Sequence, residues 1–463
     1  MLAFKSVTEL SAAIATGELK PSDLVEELLG RIGRFDQKLH AFVTVYADEA
    51  RAAAKAADDA IASGHQIGPL HGIPIALKDL IDMEGRVTTG GSAVWRERIS
   101  PSTAVLAERL MAAGMIVIGK THTVEFAMGG WGTNEPMGTS WNPWDADTHR
   151  IPGGSSAGSG VSVAAGLTPC AIGTDTGGSV RLPAAYCGHV GLKVTIGRIP
   201  TLGVLPLSHT LDTPGPMTRT VEDAALLYTV LSGPDSREPR TLGLSYQDPL
   251  PALKRGVRGM RLAAMPDADR AICDLETLQS YDAMLAKYRE LGATVEQVAL
   301  PHRLADLGME LGRIIGSDGY YHVGALVDDM DLPIDPAVRP RIWIGKDVSA
   351  VDYIAALHQQ QAIKAEFATA LQGFDALLTP TMAEPAIPVA DVDQSSTPAV
   401  FTRFVNLIEG CACALPNGFS PEGLPMSFQV VCAGEEEALA LRIAYAYEAA
   451  TDFGGRVPPA VRD

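Results

Sequence analysis

Apolar positions recur at helical spacing early in the chain, at Leu24, Leu28 and Ile32, behind the helix-start signal Pro21-Ser22-Asp23. An alanine-rich run from Ala47 to Ala62 continues the pattern, so residues 1–64 read as a helical N-terminal segment packed on a core. The periodicity then changes. Ile73-Pro74-Ile75-Ala76-Leu77 is a short apolar run that suits a buried strand, and it delivers Lys78 to the strand's end. Strand ends are where α/β sheets expose their chemistry.

The same alternation continues downstream. A helix over Val105–Ala113 precedes a strand over Met115–Gly119, and a small-residue helix over Ser156–Leu167 feeds a strand over Pro169–Gly173. Further helices are predicted over Val221–Leu231, Leu275–Leu291, Ala350–Leu371, Phe401–Cys411 and Glu436–Ala450. Strands are predicted over Arg261–Ala264, Thr294–Ala299, Ala376–Leu378 and Met426–Val431. Helices and strands interleaved in this way predict an α/β fold: a single large domain over residues 65–463, with a mixed, mostly buried β-sheet flanked by helices on both faces. No linker, repeat or low-complexity segment divides it.

Composition agrees with a large core, at 46% hydrophobic and 20% charged residues over 463 positions. The net charge of −18 repels phosphate backbones and argues against direct nucleic-acid binding. The first residues lack a basic segment leading into an apolar run, and no uncharged stretch is long enough to span a bilayer, so neither secretion nor a membrane role is expected. Six scattered cysteines, with only Cys411 and Cys413 close together, suit reduced buried thiols better than zinc or disulfides, and imply a cytoplasmic address.

The chemistry is concentrated in two places. Besides Lys78 there is Gly153-Gly154-Ser155-Ser156-Ala157-Gly158-Ser159-Gly160, followed by Gly173-Thr174-Asp175-Thr176-Gly177-Gly178-Ser179-Val180-Arg181-Leu182-Pro183. A serine hydroxyl attacks a carbonyl only if a base takes its proton, and a lysine can do so when burial disfavours its charged form. Glycines leave backbone N–H groups free to approach an oxyanion. Plainer readings exist for each residue: Ser155 as a helix N-cap, Ser179 as a turn residue, Lys78 as a solvated surface lysine. A phosphate loop is disfavoured, because Gly153–Gly160 lacks the Gly-Lys-Ser/Thr ending. Asp79 and Asp175 could also serve as acids of a histidine triad with His122 or His189.

These motifs resemble the amidase signature family from about Leu70 to the C-terminal helix, most densely between Pro152 and Pro183. The resemblance implies Ser179 as nucleophile, Ser155 as a bridging serine on a cis peptide bond and Lys78 as terminal base. It also implies an oxyanion hole of the Thr176, Gly177, Gly178 and Ser179 N–H groups, and assigns no histidine a catalytic place. Ala157 stands where the family usually has Gly or Ser, a change a helix start tolerates. Val190–Arg198, Leu211-Asp212-Thr213-Pro214-Gly215-Pro216-Met217, Leu377–Thr381 and Gly418–Pro425 resemble later family segments. The likeness fades over residues 234–375, where family members differ in substrate.

Phe126-Ala127-Met128-Gly129-Gly130-Trp131 resembles the border of the acyl site, which makes Met128, Gly129 and Gly130 candidate substrate-binding residues through their backbone. Trp131, Trp141 and Trp144 are candidates for an apolar channel and equally for core packing. The expected activity is hydrolysis of a small or aryl amide through an acyl-serine, with esters or carbamates as further substrates. No metal or cofactor is called for, the partner is a small molecule, and a homodimer is compatible with the reading. The competing expectation is the glutamine-hydrolysing A subunit of a tRNA-dependent amidotransferase.

Overall fold

The computed structural model describes residues 1–462. Eleven strands form one sheet: β1 (Phe42–Val45), β2 (Pro74–Lys78), β3 (Ile116–Thr121), β4 (Cys170–Asp175), β5 (Val190–Lys193), β6 (Thr213–Thr218), β7 (Arg261–Ala264), β8 (Thr294–Gln297), β9 (Ala376–Pro380), β10 (Cys411–Phe419) and β11 (Pro425–Cys432). Their order across the sheet is β1-β3-β2-β4-β6-β5-β10-β11-β9-β7-β8. Parallel pairs β3/β2/β4 and β9/β7/β8 flank an antiparallel middle, so the sheet is mixed. Strands β2, β4, β5, β6, β9 and β11 are buried along their whole length, with helices or loops covering both faces of the sheet there. The polar edge strand β8 is largely exposed.

The first 64 residues are not helical throughout. The helix Pro21–Leu39 ends at His40, whose φ of 52° is left-handed, and the Asp36 carboxylate then accepts from the N–H groups of Ala41 and Phe42. This turn sends the chain into β1, which pairs antiparallel with β3. The N-terminal segment therefore completes one edge of the sheet. Its first helix is tied down by Asp223, which accepts from Val7 N and Thr8 N at 2.9 Å each.

The helix predicted over Phe401–Cys411 is cut short. Only Arg403–Leu407 is α-helical; Glu409 turns left-handed at φ 55°, Gly410 N bonds back to Val405 O, and β10 begins at Cys411. A Cβ at Gly410 would lie 2.8 Å from Cys432 O, so the turn needs glycine to bring β10 against β11. No helix of the described residues is long and apolar enough to cross a membrane.

Candidate active site

Lys78 is the last residue of β2, and Thr174 lies near the end of its parallel neighbour β4. The carboxyl ends of these strands therefore meet, and Lys78 Nζ donates to Thr174 Oγ1 at 2.8 Å and to Ser155 Oγ at 2.7 Å. Both Lys78 and Ser155 are completely buried. Burial brings the lysine pKa down to about 7, against the opposing pull of the Asp212 and Asp175 charges. A surface role for Lys78 is thereby removed.

Ser155 follows a cis Gly154–Ser155 peptide bond. Its carbonyl accepts from Val124 N (3.1 Å) and Thr123 Oγ1 (3.0 Å), while Gly154 N donates to Gly130 O at 2.7 Å. Gly153 is left-handed, at φ 75°, and a Cβ there would come within 2.8 Å of Leu182 O. Ser155 is not the helix cap: the helix is Ala157–Ala164, and Ser156 precedes it without a side-chain capping bond.

Asp175 organises the next loop. Its Oδ1 accepts from Gly178 N (2.8 Å), Arg181 Nη2 (3.0 Å) and Asn406 Nδ2 (2.9 Å); its Oδ2 accepts from Val180 N (3.2 Å) and Arg181 Nε (3.0 Å). Arg181 is held further by Gln429 and Asn406. Burial alone would raise the Asp175 pKa, but the Arg181 charge and hydrogen bonds, with Lys193 and Asn406, hold it well below the usual carboxylate range. Asp175 and Arg181 hold the loop in shape, and neither bonds to a histidine.

One residue leaves the expected oxyanion set. The Gly178 N–H is spent on Asp175 and cannot also face a substrate. The N–H groups of Thr176, Gly177 and Ser179 have no acceptor among the described residues, and these three residues line the large cavity while Gly178 does not. That cavity encloses about 1050 Å³. Ser179, 8% exposed, is the only one of Lys78, Ser155 and Ser179 on its wall. No hydrogen bond joins the two serine hydroxyls here; the two loops meet one residue on, where Ser156 N donates to Ser179 O at 3.3 Å.

Met128, Gly129 and Gly130 form another part of the wall, with Leu207, Ile315 and Ile344 supplying apolar surface. Two of their carbonyls are already used: Met128 O accepts from Arg341 Nη1, and Gly130 O from Gly154 N. The segment enters the site through Phe126 and Ala127, both left-handed at φ 50° and 61°. Such a backbone persists only where its surroundings enforce it. The tryptophans do not line this cavity. Trp131 packs behind the wall and donates to Ser396 O, while Trp141 donates to Asp145 O and Trp144 to Cys187 O in packing elsewhere.

The sequence reading missed Thr174, Asp212, Arg341 and Arg403. Asp212 is buried near Lys78; burial raises its pKa to about 6, opposed by bonds from Thr176 Oγ1 (2.5 Å), Ser208 N (3.0 Å) and Leu207 N (2.9 Å) and by the Lys78 charge. It links the loop carrying the free N–H groups to the lysine. Its place in Leu211–Met217 was a usable signal, whereas nothing local marks the two arginines.

A lysine-held serine and a second serine on the cavity wall beside free backbone donors are what the amidase motifs describe, and the family model named Amidase matches residues 23–441. This chain belongs to the amidase signature family. The match starts well before Leu70, where the motif resemblance becomes visible. The chain is 36% identical to the A subunit of the glutamyl-tRNA(Gln) amidotransferase of Thioalkalivibrio sulfidiphilus, covering 98% of this chain and 99% of that protein. Among solved structures of this family, native peptide amidase from Stenotrophomonas maltophilia superposes with a TM-score of 0.87 at 28% identity, covering 98% of each chain. A bacterial aryl acylamidase of the amidase signature family superposes with a TM-score of 0.89 at 26% identity, covering 99% of each.

Proposed function

We propose that the protein hydrolyses the C–N bond of small or aryl amides, with esters and carbamates as further substrates, through an acyl-Ser179 intermediate. The observation that carries this is the buried Lys78 Nζ held 2.7 Å from Ser155 Oγ, next to a loop that presents Ser179 to the cavity. Neutral Lys78 takes the Ser155 proton while Ser155 takes that of Ser179; the Ser179 hydroxyl turns toward Ser155 as substrate arrives, since catalytic hydrogen bonds are often unmade in the free enzyme. Thr176, Gly177 and Ser179 N–H groups receive the oxyanion, each worth about 2.7–4 kcal/mol in comparable sites. The relay then runs backwards to protonate the departing amine, and water cleaves the ester.

A second reading has its own support: the curated relatives named as amidotransferase A subunits align over nearly the whole chain. In that role the enzyme would release ammonia from glutamine for a partner. The cavity favours the first reading, because about 1050 Å³ holds a drug-sized ligand and exceeds what one glutamine fills. The test is to offer the purified chain glutamine, an anilide and an aliphatic amide. Turnover of the non-glutamine amides without a partner is expected; glutaminase activity that appears only with a partner would select the second reading. Fluorophosphonate should label Ser179, and labelling that persists in Ser179→Ala would overturn the assignment.

A further inference from the structure

Three arginines, Arg313, Arg341 and Arg403, line the cavity, against one carboxylate, Asp306. That is an inverted balance for a chain of net charge −18. Asp306 is exposed and makes no ion pair with any of them among the described residues. Arg313 is exposed and faces Glu310 at 3.6 Å. Arg341 has neutral partners: Met128 O at 3.2 Å, Gln394 O at 2.7 Å and Gln394 Oε1 at 2.8 Å.

Arg403 is different. It is partly buried, yet among the described residues its guanidinium makes no hydrogen bond, ion pair or ring contact. Its stem passes the loop that carries the free N–H groups, since a Cβ at Gly177 would lie 3.5 Å from Arg403 Cγ. Its end faces Gly308, where a Cβ would lie 3.2 Å from Nη1. Both glycines line the same cavity. Burial and the nearby Arg341 charge push its pKa down, as happens where a cation lacks an anion to answer it. A guanidinium offers five donors in a planar fork matched to carboxylate, and here no group of the described residues takes any of them, which leaves the fork open to water and to a ligand.

We propose that Arg403 is the anion-binding residue of the substrate pocket and that the preferred amide carries a carboxylate. The proposal rests on the amidase reading of the same cavity. The carboxylate displaces water from the guanidinium and pairs with it in two-point fashion, while Arg341 adds long-range attraction from the wall beside Met128. The neighbouring Gly177 places this charge close to the acyl-transfer point. Position along the substrate then decides whether the acid sits on the acyl or the amine portion.

Two matched pairs test this and separate those positions: succinamate against butanamide places the acid on the acyl side, and 4-acetamidobenzoate against acetanilide places it on the amine side. The wild type should prefer the charged member of one pair in kcat/KM, and Arg403→Met should lower that preference about tenfold or more, the size of one charge-assisted hydrogen bond. Arg403→Lys should restore part of it. Benzoate titrated by calorimetry should bind the wild type and lose at least about tenfold in affinity in Arg403→Met. A wild type without preference in either pair and without benzoate binding would overturn the proposal, as would a preference unchanged in Arg403→Met proteins that melt normally. Failure of Ser179 to react with fluorophosphonate while benzoate still binds through Arg403 would instead sink the amidase reading and leave the anion site standing.

Discussion

Lys78 Nζ divides its hydrogen bonds between Thr174 Oγ1 at 2.8 Å and Ser155 Oγ at 2.7 Å, so a threonine on the neighbouring strand sets the direction of the lysine. The hydroxyl also stabilises the ammonium form by accepting from it. Thr174→Val removes that acceptor in a site closed to water, where an unmet donor costs about 1–3 kcal/mol. The variant should lose about tenfold in kcat/KM. The acid limb of its pH profile should also move to lower pH, because the charged form has lost a partner. A drop in rate with an unmoved limb would mean that Thr174 acts only through packing.

The relay needs neutral Lys78, and its pKa is brought down to about 7 by burial. Protonation as pH falls through that value removes the base, so kcat/KM should decline on the acid side with a slope of one. Asp212 works in the opposite sense, since its negative charge favours the ammonium. Asp212→Asn should therefore shift the limb to lower pH. Profiles of wild type and variant with one amide decide the matter, and a shift to higher pH would refute the coupling.

Asp175 and Arg181 are both fully buried and joined at 3.0 Å. Removing one partner leaves the other charge uncompensated, which costs about 3–5 kcal/mol. Arg181→Met should fall by that amount in chemical denaturation and lose activity with it. The sign with pH follows from the depressed Asp175 pKa. The group contributes stability above the ordinary carboxylate range, near pH 4, and that contribution is lost as pH falls toward its lower folded value. Wild-type stability should thus decline below about pH 4 more steeply than that of Asp175→Asn.

Strands β2, β3, β4, β7 and β9 were readable because each is built on a short apolar run. Strand β6 was not, because Pro214 and Pro216 argue against a central strand; β5 pairs only with Met217 and Thr218, past both prolines. Strand β10 was hidden by Pro416 and Gly418, where its register with β11 shifts. At the site, local motifs exposed Lys78, Ser155 and Ser179. Thr174, Asp212 and Arg403 escaped because their importance comes from which strands and loops become neighbours. Gly178 was misread for the same reason: its N–H is claimed by the Asp175 side chain, which no spacing rule reveals.

Gly178 has a φ of 130°, and a Cβ there would lie 2.2 Å from Thr402 Oγ1. Thr402 cannot retreat without cost, since its hydroxyl donates to Gly177 O at 2.7 Å and so fixes the peptide beside the free donors. Gly178→Ala therefore combines an unfavourable backbone with a clash that pushes on Gly177 and Ser179 together. Misplacing one oxyanion donor costs about 10²–10³ in kcat. The expected result is at least about a hundredfold fall in kcat with KM little changed, since the donors act on the charge that develops in the transition state. Steady-state kinetics with a single amide, alongside a melting curve to confirm folding, measures this directly. A folded variant that loses only KM would show that the loop binds the ground state and leaves the oxyanion to other groups.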